Sequence, residues 1–150
     1  MIPIAKPSIG EKEIKSVIDV LKSGAIAQGP KVKEFESSFA DFIGVKNAVA
    51  VNSGTAALHC SLYAAGIKPE DEVITVPFTF VATANTIMMQ GAKPVFVDVE
   101  KETFNIDTNK IEDKINKNTK AILPVDLYGH PYESDSVKKI AKKYNLQIIE

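Results

Sequence analysis

"NAVAVNSGTAALHCSLYAAGIKPEDEVITV", residues 47–76, decides how this chain folds. The apolar run 47–51 reads as a strand and breaks at Ser53-Gly54-Thr55. A helical run over 55–66 starts at once and closes at Gly66 and Pro69, and a second β-branched run, 72–76, stops at Pro77. Strand, helix, strand is the grammar of a βαβ unit, whose parallel strands need a crossover longer than a hairpin. Both strands are continuous apolar runs rather than alternating ones, the pattern of strands covered on both faces.

Downstream the grammar repeats. A helix over 80–91, a strand over 94–99, a short helix over 107–118 with Asp107 as N-cap, a strand over 120–125, a helix over 134–145 and a strand over 146–150 are expected. Upstream, two amphipathic helices precede the first strand. Ile14, Val17, Ile18 and Leu21 recur at helical spacing before Gly24; Pro30 opens the second helix, Val32, Phe35, Phe39 and Phe42 make its face, and Gly44 ends it. The expected fold class is α/β, a mostly parallel doubly wound sheet flanked by helices. A helical segment 1–45 precedes the α/β part, 46–150. In such a sheet ligands bind beyond the carboxyl ends of the strands, and Glu150 stands at the end of an expected central strand, so the sequence reads as part of a longer protein.

Composition narrows the class. The chain has 150 residues, 45% hydrophobic and 25% charged, with a net charge of −1, so neither nucleic acid nor an anionic membrane is expected as a bulk electrostatic partner. Its 18 basic residues are all Lys, so an anion must be held by Lys, hydroxyls or backbone N–H groups rather than by a guanidinium fork. Cys60 is the single cysteine, which excludes an internal disulfide and fits a reducing cytoplasm, with Cys60 expected as a small buried hydrophobe. No run approaches a membrane span, and the start has no signal-peptide pattern. With two His and one Cys, no metal site is expected.

Three strand-to-helix junctions carry the candidate chemistry. At Ser53-Gly54-Thr55 a helix begins just past a strand, where free N–H groups and the positive dipole end favour an anion such as a phosphate. Gly54 permits close approach of the backbone, and the Ser53 and Thr55 hydroxyls add uncharged donors. The plainer alternative makes Ser53 an N-cap and Gly54 a turn. At the second junction, "VPFTFVATAN" (76–85), Phe78 or Phe80 could stack on a flat heteroaromatic ligand, or both rings could cap the core. The third, "PVDLYGHPYES" (124–134), brings Asp126, Tyr128 and His130 toward the same sheet edge. His130 reads as exposed loop and His59 as a structural residue.

Five blocks in order, "GPKVKEFESSFA" (29–40), "NSGTAAL" (52–58), "EDEVITVPFTFVATAN" (70–85), "GAKPVFVDV" (91–99) and "PVDLYGHP" (124–131), make residues 4–150 resemble the amino-terminal half of the DegT/DnrJ/EryC1/StrS family. These are nucleotide-sugar aminotransferases dependent on pyridoxal 5'-phosphate (PLP), of fold type I. The resemblance implies that Gly54, Thr55 and Ala56, with Ser53 adjacent, hold the PLP phosphate, and that Phe80 stacks on the pyridine ring. It implies a homodimer whose amino donor is Glu or Gln and whose acceptor is a nucleotide-linked keto-sugar. The family's pyridine-nitrogen Asp and Schiff-base Lys are expected beyond Glu150, so no catalytic residue is assigned within 1–150. Two departures from the family pattern, Ala25-Ile26 for its usual aromatic and Asp126 for its usual His, mark Ile26 and Asp126 as substrate-side positions. A sugar dehydratase with His in place of the Lys, and a non-catalytic regulator of the same fold, are the alternatives; an unrelated nucleotide-binding domain would need a glycine-rich turn that "NSGTAA" lacks.

Overall fold

The computed structural model describes residues 5–150, so the first four residues of the expected N-terminal segment, and Ile4 where the resemblance begins, lie outside the described residues. The chain packs as two units, Met1–Ala50 and Val51–Glu150.

In the first unit, α1 (Glu11–Ser23) and α2 (Pro30–Ile43) match their expected spans. Each ends at a glycine, Gly24 or Gly44, in the left-handed conformation that lets its N–H donate back to a carbonyl of the last turn, Leu21 or Ala40. Val17, Leu21, Phe35 and Phe42 on their apolar faces are exposed. The Glu36 carboxylate accepts a hydrogen bond from the Ala50 N–H at 2.8 Å. Residues 47–51, expected as a strand, pair with no strand among the described residues. Apolar β-branched composition favours an extended backbone, but a strand also needs a neighbour to take its N–H and C=O groups, and here a side chain takes one of them.

The second unit is α/β, as expected. Its elements in chain order are α3 (Gly54–Ala64), β1 (Glu72–Thr75), α4 (Ala82–Met89), β2 (Lys93–Phe96), β3 (Thr119–Ile122), α5 (Ser134–Tyr144) and β4 (Gln147–Ile148). The strands form one sheet in the order β2-β1-β3-β4, every pair parallel. Alternate residues of β1 and β3 feed two apolar clusters. Val73 and Ala121 join Leu62 of α3 and Ile87 of α4, while Ile74 and Ile122 join Ile111 and Val137. The sheet is therefore covered on both faces, which is why its strands read as unbroken apolar runs. The expected helix 107–118 is instead two 3₁₀ turns, Thr108–Lys110 and Glu112–Lys114. Asp107 still caps the first through the Asn109 N–H, but the acidic and amide-rich segment has only Ile111 and Ile115 to pack on the core, too narrow an apolar face to hold a full helix.

Cys60 corrects another expectation: it is exposed. Helical spacing turns Leu58 and Leu62 of α3 inward and leaves position 60 on the opposite side. At the outer edge of the sheet, the Lys93 N–H bonds the Asp71 carbonyl and the Val97 N–H bonds the Thr75 carbonyl, so the intervening Pro94 turns its donorless nitrogen away from β1.

Between β1 and β3, the fully buried Thr75 hydroxyl donates to the Leu123 carbonyl at 2.8 Å. A Thr75→Val substitution keeps the shape and removes this donor. It is expected to lower stability by about 1–3 kcal/mol in urea unfolding, the usual cost of orphaning a buried acceptor.

Candidate functional site

The strand order places the topological switch between β1 and β3: from β1 the chain goes to β2 on one side, then to β3 and β4 on the other. Ligands in open α/β sheets bind at that point, outside the carboxyl ends of the strands. The loops that leave β1 and β3 there line a cleft of about 830 Å³, together with the start of α3 and Glu150 beside β4. That lies within the roughly 300–1,000 Å³ of small-molecule sites.

One wall is the first turn of α3. Ser53 is extended and its Oγ accepts from the Ala56 N–H at 3.1 Å, the N-cap bond that the Ser-Gly-Thr sequence suggests. The N–H groups of Gly54 and Thr55, the first two of the helix, have no intrahelical partner, and both residues line the cleft. A Cβ built on Gly54 would meet nothing within 4 Å, and its φ is not positive. Neither packing nor a strained turn accounts for this glycine; the empty space at its Cα lies at the helix N-terminus, where an anion is favoured. Leu62, fully buried two turns further along, holds α3 against Val73 and Ile87 and so fixes the direction in which those N–H groups point.

The second wall is the loop after β1. Pro77 ends the strand, and the Phe80 carbonyl accepts from the Thr83 N–H at 3.0 Å while the Thr79 and Thr83 hydroxyls pair at 2.9 Å. This fixed backbone presents the Phe80 ring 75% exposed at the cleft. Phe78 also lines it, its ring 5.8 Å from that of Phe104 in a tilted pair. Neither ring belongs to the core clusters.

The third wall is the loop after β3, with Val125, Asp126, Leu127 and Tyr128. The Asp126 carboxylate accepts from the Tyr132 N–H at 3.0 Å, and Tyr128 is 95% exposed with a left-handed φ of 53°. On the same side the buried Tyr132 hydroxyl donates to the Glu150 carboxylate. Burial first, then the Glu150 and Asp126 carboxylates, push the Tyr132 phenol well above its usual value, so it remains protonated and a donor.

Of the residues singled out from sequence, Gly54, Thr55, Phe78, Phe80, Asp126 and Tyr128 meet at this cleft. Ser53 and Ala56 bond each other in the turn that leads into it without lining it. Ile26 belongs to the other unit, where it is exposed and lines an apolar groove with Val17 and Leu21. His130 is exposed and lines a smaller pocket with Asn105 and Asp107, and the His59 carbonyl accepts from the Gln90 amide. Sequence reasoning passed over Thr79, in the loop after β1, and Thr83, in the first turn of α4; the strand-end rule could have pointed to both, since this junction leaves β1 at the switch edge.

The model of the DegT/DnrJ/EryC1/StrS aminotransferase family matches residues 7–150. The chain belongs to this family. Among curated relatives of this DegT-family chain, an uncharacterized protein of Methanocaldococcus jannaschii is 54% identical over 149 residues, and the spore coat polysaccharide biosynthesis protein SpsC of Bacillus subtilis is 48% identical over 149. Each alignment takes in 99% of this chain, which spans only 39% and 38% of the lengths of those relatives. The aminotransferase from Psychrobacter cryohalolentis superposes with a TM-score of 0.94 at 37% identity, over 99% of this chain and 38% of its own. NtdA from Bacillus subtilis, solved with bound cofactor PMP, superposes at 0.90 with 36% identity, over 95% of this chain and 34% of its own. These neighbours are PLP-dependent aminotransferases of fold type I, and the parallel sheet described above is part of that fold.

Proposed function

We propose that the full-length protein is a PLP-dependent aminotransferase that moves an amino group from Glu or Gln to a keto carbon of a nucleotide-linked sugar, and that residues 46–150 form the first part of its PLP-binding large domain after a helical segment 1–45. One observation carries the proposal: free N–H groups at the start of a helix and an exposed aromatic ring face one cleft at the switch of a parallel sheet. A phosphate ester joined to a flat heterocycle needs these two features at opposite ends. The residues fit the group, because the space at the Gly54 Cα is open and the helix start carries no acidic side chain in its first turn.

In this reading Gly54, Thr55 and Ala56, with Ser53 holding the turn, bind the phosphate through backbone N–H groups and hydroxyls. The Phe80 ring covers one face of the heterocycle and excludes water from it. When bound, PLP supplies an electron sink and a carrier for the amino group. Asp126 belongs on the sugar side. The Lys and Asp that complete the catalytic set lie outside 1–150. A relative named for spore coat polysaccharide biosynthesis supports a sugar substrate, and the lone cysteine within 1–150 supports a cytoplasmic site of action. We place the working assembly as a homodimer on the family resemblance.

The test is amino transfer by the purified full-length protein, supplied with PLP, Glu or Gln, and a panel of nucleoside-diphosphate keto-sugars. An amino-sugar product with a matching amount of 2-oxo acid is expected. Loss of water from the sugar without transfer, or no PLP binding, overturns the proposal. A Phe80→Ala variant is expected to bind PLP about 5–10-fold more weakly, the measure of one stacking contact, with its melting temperature unchanged because the ring is exposed.

A further inference from the structure

The loop between β2 and the 3₁₀ turns lines none of the cleft, yet it touches two of the three walls. Val99 and Ile106 form an antiparallel bridge that closes the loop, and inside it Asn105 is 3% exposed. Both ends of the Asn105 amide reach one short turn of the cleft wall. Its Nδ2 donates to the His130 carbonyl at 2.9 Å, and its Oδ1 accepts from the Leu127 N–H at 3.0 Å. Between those anchors lies Leu127–Gly129, where Tyr128 adopts φ 53° and Gly129 φ 83°. A bulky aromatic residue in the left-handed region is uncommon and persists only where its surroundings impose it.

Asn105 is itself held. Its carbonyl accepts from the Glu100 N–H at 2.9 Å and its N–H donates to the Thr103 hydroxyl at 3.2 Å. Its neighbour Phe104, also left-handed at φ 60°, packs its ring on Phe78. The buried amide thus has both polar ends satisfied, and both bonds serve a segment 22 and 25 residues away that carries Asp126 and Tyr128 into the cleft.

We infer that Asn105 is a positioning residue for the acceptor substrate: it clamps the 127–130 turn in the conformation that presents Tyr128 and Asp126 to the sugar. This rests on the reading of the cleft as the aminotransferase site. The phosphate grip at Gly54 and the Phe80 ring stand on other elements and do not depend on the clamp.

The experiment compares the full-length wild type with Asn105→Ala and Asn105→Asp. For Asn105→Ala, the KM for the nucleotide keto-sugar is expected to rise about tenfold or more with a smaller change in kcat. Equilibrium binding of PLP, and conversion of Glu or Gln to its 2-oxo acid in the absence of sugar, are expected to stay within about threefold. Hydrogen exchange at the Leu127 amide should quicken at least tenfold, with amides of β1 and β3 unchanged. Asn105→Asp keeps the acceptor for the Leu127 N–H and loses the donor to His130, so its Leu127 amide should stay protected while the sugar KM still rises; this variant decides the matter if Asn105→Ala does not fold. An unchanged sugar KM, or a parallel loss of PLP binding and both half-reactions, overturns the inference. Absence of PLP binding or transfer by the wild type would overturn the underlying functional reading instead.

Discussion

Gly54→Glu is expected to yield a folded protein that has lost its grip on PLP. The new side chain meets no atom where its Cβ would lie, and the backbone there is not left-handed, so the substitution costs nothing in packing. A carboxylate in the first turn of α3 opposes the positive end of the helix and should stabilise the fold slightly, by about 0.3–1 kcal/mol at low salt. It also fills the open space at the free N–H groups and repels a dianion. Losing one or two hydrogen bonds to a charged group costs about 3 kcal/mol, so the PLP dissociation constant should rise about 100-fold or more. Stability and affinity therefore move in opposite directions, a signature that general misfolding does not produce. Equilibrium PLP titration beside urea unfolding reads both, and an affinity within about threefold of wild type would show that the phosphate is held elsewhere.

The second large effect is in the core. Leu62 is fully buried on α3 among Ile67, Val73, Ile87 and Leu123, and it is the residue that seats this helix on the sheet. Leu62→Ala is expected to destabilise the protein by about 2–5 kcal/mol, the transfer free energy of the lost atoms plus the cavity they leave. Because α3 carries Gly54 and Thr55 at its other end, a partly relaxed helix should also weaken PLP binding. The slope of unfolding against urea should be unchanged while the midpoint falls. A shift smaller than about 1 kcal/mol would mean that the helix is anchored by other residues.

The two-faced sheet and the Ser53 cap were legible in the sequence because local chemistry determines both: continuous β-branched runs for one, a hydroxyl before a helix for the other. Residues 47–51 have the same composition as the true strands, but pairing is a property of neighbours, which composition does not encode. The 107–118 segment kept its Asp107 cap and lost its helix, since a cap stabilises one turn and only an apolar face holds several. In the site, Gly54, Thr55, Phe80 and Asp126 could be picked out because each lies just past an apolar run. Asn105 could not. It sits mid-loop with no motif, and its two partners come into reach only when β2 and β3 take their places in the sheet.

Pro94 gives the sheet a polarity of growth. An outer strand with its full set of donors is a template on which foreign or newly made backbone can crystallise. Here the outward face of β2 carries a nitrogen that cannot donate, and the exposed ammonium of Lys93 stands beside it. Strand addition is discouraged on that flank, so the side of β4 is where this architecture can accept more chain without inviting aggregation.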